Sequence, residues 1–349
     1  MRVQDRRRAC EVQWECSGNI LRAVDGPWGC RMLRSIVLAA AMVAAAGATA
    51  ATKLQIAEGE SVVTLRIDGE LNIGPEGQVQ AYRIRTRLDP KIQALVAKAV
   101  PGWQFKPVLV DGKPVNAKTP MRITLAATET KGGYEVRVDN VVFTPYSKED
   151  YEAQLASKKA LAEQGKTLTT LDDAMPPSQP VEITSIKLAP PGYPKGLQMA
   201  GVEGMVLLNL RLNPDGTVAE VFASQSSLLN VKGRPELLDR ARVMLEKNAS
   251  SAAAKWTFKV QAKDPAALKP SDLTVRIPVD YALSSPGRKG DPLVGSWRRE
   301  FRGPNYPVPW LLGGEGEQAI GVSDLGSGEF IAGTSPFALG DKSVIGKSL

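Results

Sequence analysis

Residues 204–224 read GMVLLNLRLNPDGTVAEVFAS, and this stretch decides the fold. Runs of apolar and polar residues lie on both sides of Asn-Pro-Asp-Gly at 213–216. That sequence is typical of a tight turn, because glycine readily adopts the positive φ that such a turn needs. The pattern therefore predicts a β-hairpin with strands at residues 204–212 and 217–224.

A helix and a final strand are predicted after this hairpin. Apolar residues recur at helical spacing across residues 237–245, and Trp-Thr-Phe-Lys follows at 256–259. A last alternating run predicts a strand at residues 274–283. The hairpin, helix and last strand together predict an α+β domain over residues 186–284.

Residues 51–145 repeat this order in outline. Alternation over residues 61–87 is broken by Gly-Pro-Glu-Gly at 74–77, helical spacing follows at 88–100, and Trp-Gln-Phe-Lys stands at 103–106. The aromatic residues of both Trp-x-Phe-Lys sequences are predicted to lie in the core. The predicted fold class is α+β, with two tandem small units. Each is an antiparallel sheet of three or slightly more strands packed on one or two helices.

Two other segments have a different composition. Residues 146–185 are predicted to form a linker, with a charged helix and then the Pro-rich run at 175–180. Residues 285–349 are rich in Gly, Ser and Pro without a sustained period. This composition predicts a disordered tail.

The amino-terminal region indicates export. Residues 32–50 combine a short basic start, an apolar core and the small residues Ala-Thr-Ala, which predicts a signal peptide cleaved after Ala50. The mature protein would then lie in the periplasm. If residues 33–48 stay uncleaved, they instead anchor the chain in the inner membrane, facing the periplasm. Residues 1–31 are interpreted as an upstream segment that precedes the true start at Met32.

Composition excludes several classes of site. The 349 residues contain no histidine, so neither a Ser-His-Asp relay nor an imidazole metal site can form. All three cysteines precede residue 32. The net charge of +7 includes +3 from residues 1–50, and the remaining +4 is too small to indicate nucleic-acid binding. We predict no catalytic residue, cofactor or metal.

An ordered set of short motifs resembles the TonB carboxyl-terminal domain family. In chain order the motifs are Tyr193-Pro194, Gly-Val-Glu-Gly at 201–204, Asp215-Gly216, Ser226-Ser227, Leu-Asp-Arg-Ala at 238–241 and Trp-Thr-Phe-Lys at 256–259. Residues 61–127 look like a degenerate copy without the Tyr-Pro. The resemblance implies a small antiparallel sheet backed by two helices. Such a domain meets the periplasmic face of outer-membrane transporters by pairing with an extended segment of the transporter.

Strand pairing of this kind needs a sheet edge with unpaired backbone groups. The last predicted strand, residues 274–283, is the candidate edge, since Pro278 lacks an N–H and suits an edge. Tyr193 and Pro194 either contact the partner or pack over the end of the sheet. The candidate partner-binding residues are Tyr193, Pro194, Thr274, Val275, Arg276, Ile277 and Val279.

Three functions are compatible with these features. The leading hypothesis is a non-enzymatic periplasmic binding or adaptor protein that engages envelope proteins, outer-membrane transporters among them, by strand addition. Open edges would also allow two copies to pair as a homodimer. The second is a TonB-type energy transducer anchored by residues 33–48. The third is an envelope hydrolase that uses only Ser, Lys or carboxylates, although no motif has the spacing of such a site.

Overall fold

A computed structural model describes residues 60–349 except 111, 145, 147, 168–173, 175–180, 230, 263, 284–293, 313–318, 327–328 and 334. The predicted signal peptide and the Pro-rich run therefore lie outside the described residues. Among the residues that are described, none of the helices is both long enough and apolar enough to cross a membrane.

The elements alternate between long strands and a few helices. The strands are β1 (Glu60–Ile73), β2 (Val79–Ile84), β3 (Leu109–Val110), β4 (Lys113–Pro114), β5 (Ala117–Thr130), β6 (Gly133–Phe143), β7 (Val181–Lys187), β8 (Glu203–Leu212), β9 (Val218–Leu229), β10 (Thr257–Ala262), β11 (Thr274–Tyr281), β12 (Arg298–Arg302) and β13 (Ile331–Ala332). The helices are α1 (Pro90–Ala99), α2 (Lys148–Glu163), α3 (Lys195–Met199) and α4 (Pro235–Ala253).

Nine of the strands form one sheet. Its order is β13-β11-β8-β9-β12-β1-β5-β6, and β2 also pairs with β1. Neighbouring strands in this sheet run antiparallel. The pairs β7–β10 and β3–β4 form two small separate sheets. This mixed, mostly antiparallel architecture agrees with the predicted α+β class.

Local sequence accounts for the ends of several elements. Asp89 caps α1 by accepting a hydrogen bond from the Lys91 N–H at 2.9 Å. In the turn between β8 and β9, the Asp215 carboxylate accepts from the N–H of Thr217 at 2.9 Å and from its hydroxyl at 2.6 Å. These hydrogen bonds lower the pKa of Asp215. Gly216 has φ of 83°, so this Asp-Gly pair serves the turn, as predicted.

Three apolar clusters lie along the sheet in the described part of the chain, and the first two contain the Trp-x-Phe pairs. Trp103 and Phe105 are buried in the first, with side chains from β1, β5 and β6. Trp256 and Phe258 are buried in the second, where α4 packs against β8 and β9. The prediction that both aromatic pairs lie in the core is therefore confirmed.

The same kind of backbone hydrogen bond is found beside each of the two clusters that contain a Trp-x-Phe pair. The Phe105 N–H donates to the Gly77 carbonyl at 2.8 Å, and the Phe258 N–H donates to the Gly216 carbonyl at 2.9 Å. Gly77 and Gly216 both have positive φ, at 87° and 83°. In each case the turn of a hairpin is tied to the Phe of a Trp-x-Phe-Lys sequence.

The segment after residue 293 differs from the prediction of a disordered tail. Its strand β12 lies between β1 and β9 and pairs with both. Its strand β13 pairs with β11 at one end of the sheet. At the other end, the Leu349 N–H donates to the Val136 carbonyl of β6 at 2.9 Å. The described parts of this segment are therefore built into the sheet.

Charged and polar residues hold β12 in place, and this is why apolar periodicity missed it. The Glu300 carboxylate is 1% exposed. It accepts hydrogen bonds from Thr64 of β1 at 2.7 Å, from Ser227 of β9 at 3.2 Å and from Ser323 at 2.7 Å. Arg298 pairs with the same carboxylate at 3.2 Å. One buried carboxylate thus joins β1, β9 and the carboxyl-terminal segment.

The predicted linker at residues 146–185 also contains a strand. Residue 181 begins β7, which pairs antiparallel with β10 from Thr257 to Ala262. Val181 and Ile183 are buried in the second apolar cluster. The second half of the fold therefore begins at β7, before residue 186. This strand was not predicted, because it has no long alternating run of its own and depends on pairing with the distant β10.

Candidate functional site

The candidate site lies on β11, where all five predicted strand residues are buried. Thr274 and Val275 are fully inaccessible, and Arg276, Ile277 and Val279 are 5–6% exposed. The side chains of Val275, Ile277 and Val279 belong to the second apolar cluster. Those three side chains pack in the core, so a partner strand could form hydrogen bonds only with the backbone of these residues.

The outer side of β11 is partly occupied by the chain itself. Val275 lies opposite Ala332 of β13, and Arg276 lies opposite Ile331. The prediction that β11 is the outermost strand is therefore wrong around Val275 and Arg276. Within the described residues, no strand pairs with Ile277–Tyr281 on that side.

Pro278 has the orientation that suits an edge. The Leu212 N–H of β8 donates to the Leu273 carbonyl, while the Gly333 N–H donates to the Thr274 carbonyl at 2.8 Å. The backbone groups of successive residues along a strand point to opposite sides, so those of every second residue point to the same side. Pro278, four residues after Thr274, therefore directs its missing donor away from β8 and costs the ladder no hydrogen bond.

Further contacts attach the carboxyl-terminal segment to the start of β11. The Trp310 indole N–H donates to the Thr274 hydroxyl at 2.9 Å. The Arg276 guanidinium donates to the Gly333 carbonyl at 3.2 Å. The side chains of Thr274 and Arg276 lie on the sheet face opposite the second apolar cluster. Both faces and part of the outer side of β11 are thus in contact with other parts of the chain.

Tyr193 lies over the end of the sheet. Its hydroxyl donates to the Val202 carbonyl and lies 3.4 Å from the Tyr281 carbonyl. Its ring meets the Tyr281 ring edge-on, with centroids 5.4 Å apart. Burial, followed by the nearby Glu203 carboxylate, raises the pKa of Tyr193. Of the two alternatives from sequence, packing over the sheet end is the one found.

Pro194 starts the short helix next to Tyr193. Its carbonyl accepts hydrogen bonds from the N–H groups of Leu197 and Gln198, both at 3.0 Å. Leu197 is buried in the second apolar cluster. Pro194 therefore fixes the chain path that brings Tyr193 onto the sheet.

Replacing Tyr193 by phenylalanine should lower the free energy of unfolding by about 1 kcal/mol at pH 7, because the Val202 carbonyl loses its donor. Urea unfolding followed by circular dichroism measures this change. The difference from wild type should shrink above pH 10. A tyrosine with a raised folded pKa contributes stability below its unfolded pKa and loses it as the pH rises.

Tyr134→Phe is the matched control for this prediction. Tyr134 is 58% exposed, so its replacement should change the unfolding free energy by less than about 0.5 kcal/mol. Equal effects of the two substitutions would contradict the role given to the Tyr193 hydroxyl.

Sequence reasoning missed the residues that cover β11 from outside. They are Trp310, Phe330, Ile331, Ala332 and Gly333. A local signal exists, because Phe-Ile-Ala at 330–332 is a short apolar run inside a Gly- and Ser-rich segment. Three residues are too few to separate a strand from a loop by periodicity.

A polar cavity lies apart from β11. Its volume is about 270 Å³, and Asn140, Gln225, Arg302 and Asp324 are among its lining residues. Burial raises the pKa of Asp324, which accepts hydrogen bonds from Thr124 and Asn140. These side chains are engaged in contacts that join the carboxyl-terminal segment to the sheet. Within the described residues, no three His, Cys, Asp or Glu side chains are placed to hold a metal ion.

Comparison of the amino-acid sequence with those of known proteins finds similarity to proteins of one name. Two curated proteins called Protein TonB, from two strains of Xanthomonas campestris pv. campestris, are each 34% identical to the chain over 104 residues. The match covers 30% of this chain and 40% of the length of each relative. No protein-family model and no solved structure matches the chain. The two matches support the TonB C-terminal-like domain that the sequence motifs predicted.

Proposed function

We propose that this chain is a periplasmic, non-enzymatic binding or adaptor protein that engages envelope proteins by β-strand addition at the outer side of β11. Outer-membrane transporters are the partners that the TonB resemblance suggests. Association with the inner membrane follows only if residues 33–48 are retained.

The similarity to Protein TonB is the observation that carries this proposal. The arrangement of β11 adds physical support. Its outer neighbour β13 has only two residues, whereas β8 pairs with β11 over eight. Pro278 faces the same outer side, where it leaves a partner strand a carbonyl acceptor but no N–H donor. An incoming strand could therefore pair with the backbone without breaking the β8–β11 ladder.

We also infer that the two halves are copies of one small unit. The repeated contact supports this inference, since Phe105 bonds to Gly77 as Phe258 bonds to Gly216. The order of hairpin, helix and Trp-x-Phe-Lys is the same in both. Two units in tandem leave room for two partners or for pairing between two copies of the chain.

Photocrosslinking in intact cells tests the binding proposal. A photoreactive residue at Ala282, which is exposed just after β11, should capture envelope proteins. The matched position is Tyr134, which is exposed near the start of β6 and should capture none of the same proteins. Identical capture from both positions, or no capture from Ala282, would contradict the proposal.

The alternative function is a TonB-type energy transducer, which the named relatives also favour. It requires an uncleaved anchor at residues 33–48. Sequencing the amino terminus of the protein recovered from envelope fractions separates the two functions. A start at Ala51 supports the adaptor and rules out the transducer, while retention of residues 33–48 supports the transducer.

A further inference from the structure

A short part of the carboxyl-terminal segment lies where a partner strand would bind. Ile331 and Ala332 form β13 and pair with Arg276 and Val275. The Gly333 N–H continues the ladder by donating to the Thr274 carbonyl at 2.8 Å. The chain therefore fills part of its own candidate binding edge.

The side chains of this segment use both faces of the sheet. Ile331 is 6% exposed and belongs to an apolar cluster with Met205, Leu207 and Leu325. Phe330 and Ala332 pack against the second apolar cluster on the opposite face. An alternation of this kind is how an added strand gains side-chain selectivity beyond its backbone hydrogen bonds.

The pairing of β13 with β11 is short enough to be exchanged. Two residues pair, and the Gly333 hydrogen bond extends the ladder by one step. A longer extended segment could pair over the same residues and continue along Ile277–Tyr281. Within the part of the chain that the structure describes, no strand pairs with the outer side of Ile277–Tyr281. As part of the same chain, β13 has a high effective concentration at β11. The additional hydrogen bonds of a longer ladder would offset this advantage.

We propose that residues 330–333 are an internal stand-in for the partner strand. The β11 edge accordingly selects an extended segment with an aliphatic side chain at the Ile331 position, an apolar residue before it and a small residue after it. The partner binds by displacing residues 330–333. This inference rests on the proposed function, because it assigns the partner chemistry to the same edge.

A synthetic peptide with the sequence of residues 326–335, GSGEFIAGTS, tests the exchange directly. Its binding to the mature chain, residues 51–349, is measured by fluorescence anisotropy for the wild type and for Ile331→Asp. The substitution puts a carboxylate into an apolar recess and so expels the internal segment. Binding to Ile331→Asp should be at least ~10-fold tighter than binding to the wild type, because the internal competitor is removed.

Two controls accompany this measurement. Leu312→Asp makes the same kind of change at a side chain that is 65% exposed, and it should bind the peptide as weakly as the wild type. A peptide with Asp in place of its Ile should bind none of the three proteins. Equal binding of the original peptide to wild type and Ile331→Asp, or no binding to a cooperatively folded Ile331→Asp, would overturn the proposal.

A disulfide lock tests the opposite change and does not depend on how well Ile331→Asp folds. The chain after residue 30 has no cysteine, so Val275→Cys with Ala332→Cys introduces the only pair, at directly opposed positions. In the oxidised protein, capture of envelope proteins from Ala282 should be lost, and reduction should restore it. Unchanged capture by the oxidised protein would reject the stand-in.

The two experiments separate this inference from the proposed function. Peptide binding by Ile331→Asp without any captured envelope protein would support the stand-in and reject the adaptor function. Capture from Ala282 that the oxidised lock does not affect would support the adaptor function and reject the stand-in.

Discussion

Replacing Glu300 by alanine should lower the free energy of unfolding by about 3–5 kcal/mol. Breaking a buried ion pair on one side leaves the other charge in a site without its counter-charge. Here Arg298, which is 8% exposed, would lose the carboxylate 3.2 Å away. The hydroxyls of Thr64 and Ser323 would lose their acceptor as well. Urea unfolding of the chain from residue 51 onward, followed by tryptophan fluorescence, measures the change.

Arg299→Ala is the matched control, since Arg299 is the exposed neighbour in the same strand. Its effect should stay below about 0.5 kcal/mol. A small effect of Glu300→Ala would mean that β12 does not hold β1 and β9 together. The comparison therefore tests directly whether the segment after residue 293 belongs to the folded core.

Gly216→Ala should lower the free energy of unfolding by about 3–5 kcal/mol. A left-handed backbone alone costs a non-glycine residue about 1–2 kcal/mol. In addition, a Cβ at Gly216 would lie 1.8 Å from the carbonyl oxygen of Phe258, a backbone atom that cannot rotate away. The turn must then release Phe258, and the buried aromatic side chain loses its position. Gly77→Ala should behave similarly, with 2.1 Å to the Phe105 carbonyl oxygen.

Gly112→Ala separates the cost of backbone strain from the cost of the contact between a Cβ and the Phe carbonyl oxygen. Gly112 also has positive φ, at 74°, but a Cβ there meets nothing within 4 Å. Its substitution should cost only the backbone strain, about 1–2 kcal/mol. If all three substitutions cost the same, the contact between each hairpin turn and its Phe contributes nothing to stability.

The hairpins, helices and aromatic cores could be predicted because their signals are local. The Asn-Pro-Asp-Gly turn and the Asp89-Pro90 helix start act within a few residues. Apolar periodicity then selects the buried face of each long element. The observed β8, β9 and α1 accordingly lie close to where the sequence placed them, and α4 includes the predicted residues 237–245 but continues to Ala253.

The candidate site was harder to predict, because burial there depends on distant residues. The strand at 274–281 was located correctly, but its five candidate residues are buried by α4 and by the carboxyl-terminal segment. Their roles in binding are still predictions. Strand β12 was missed because the sequence Arg-Arg-Glu-Phe-Arg has no apolar alternation. Its buried charges are tolerated only because Thr64, Ser227 and Ser323 supply hydrogen bonds.

The sequence by itself determined the α+β class, the two hairpin-and-helix patterns and the TonB-like motifs, since each depends on residues close together in the chain. Only the tertiary structure decided that residues after 293 join both halves into one sheet and that β13 covers part of β11. Short or charged segments gain a defined conformation when distant strands satisfy their backbone groups and buried charges. No local pattern reports that partnership.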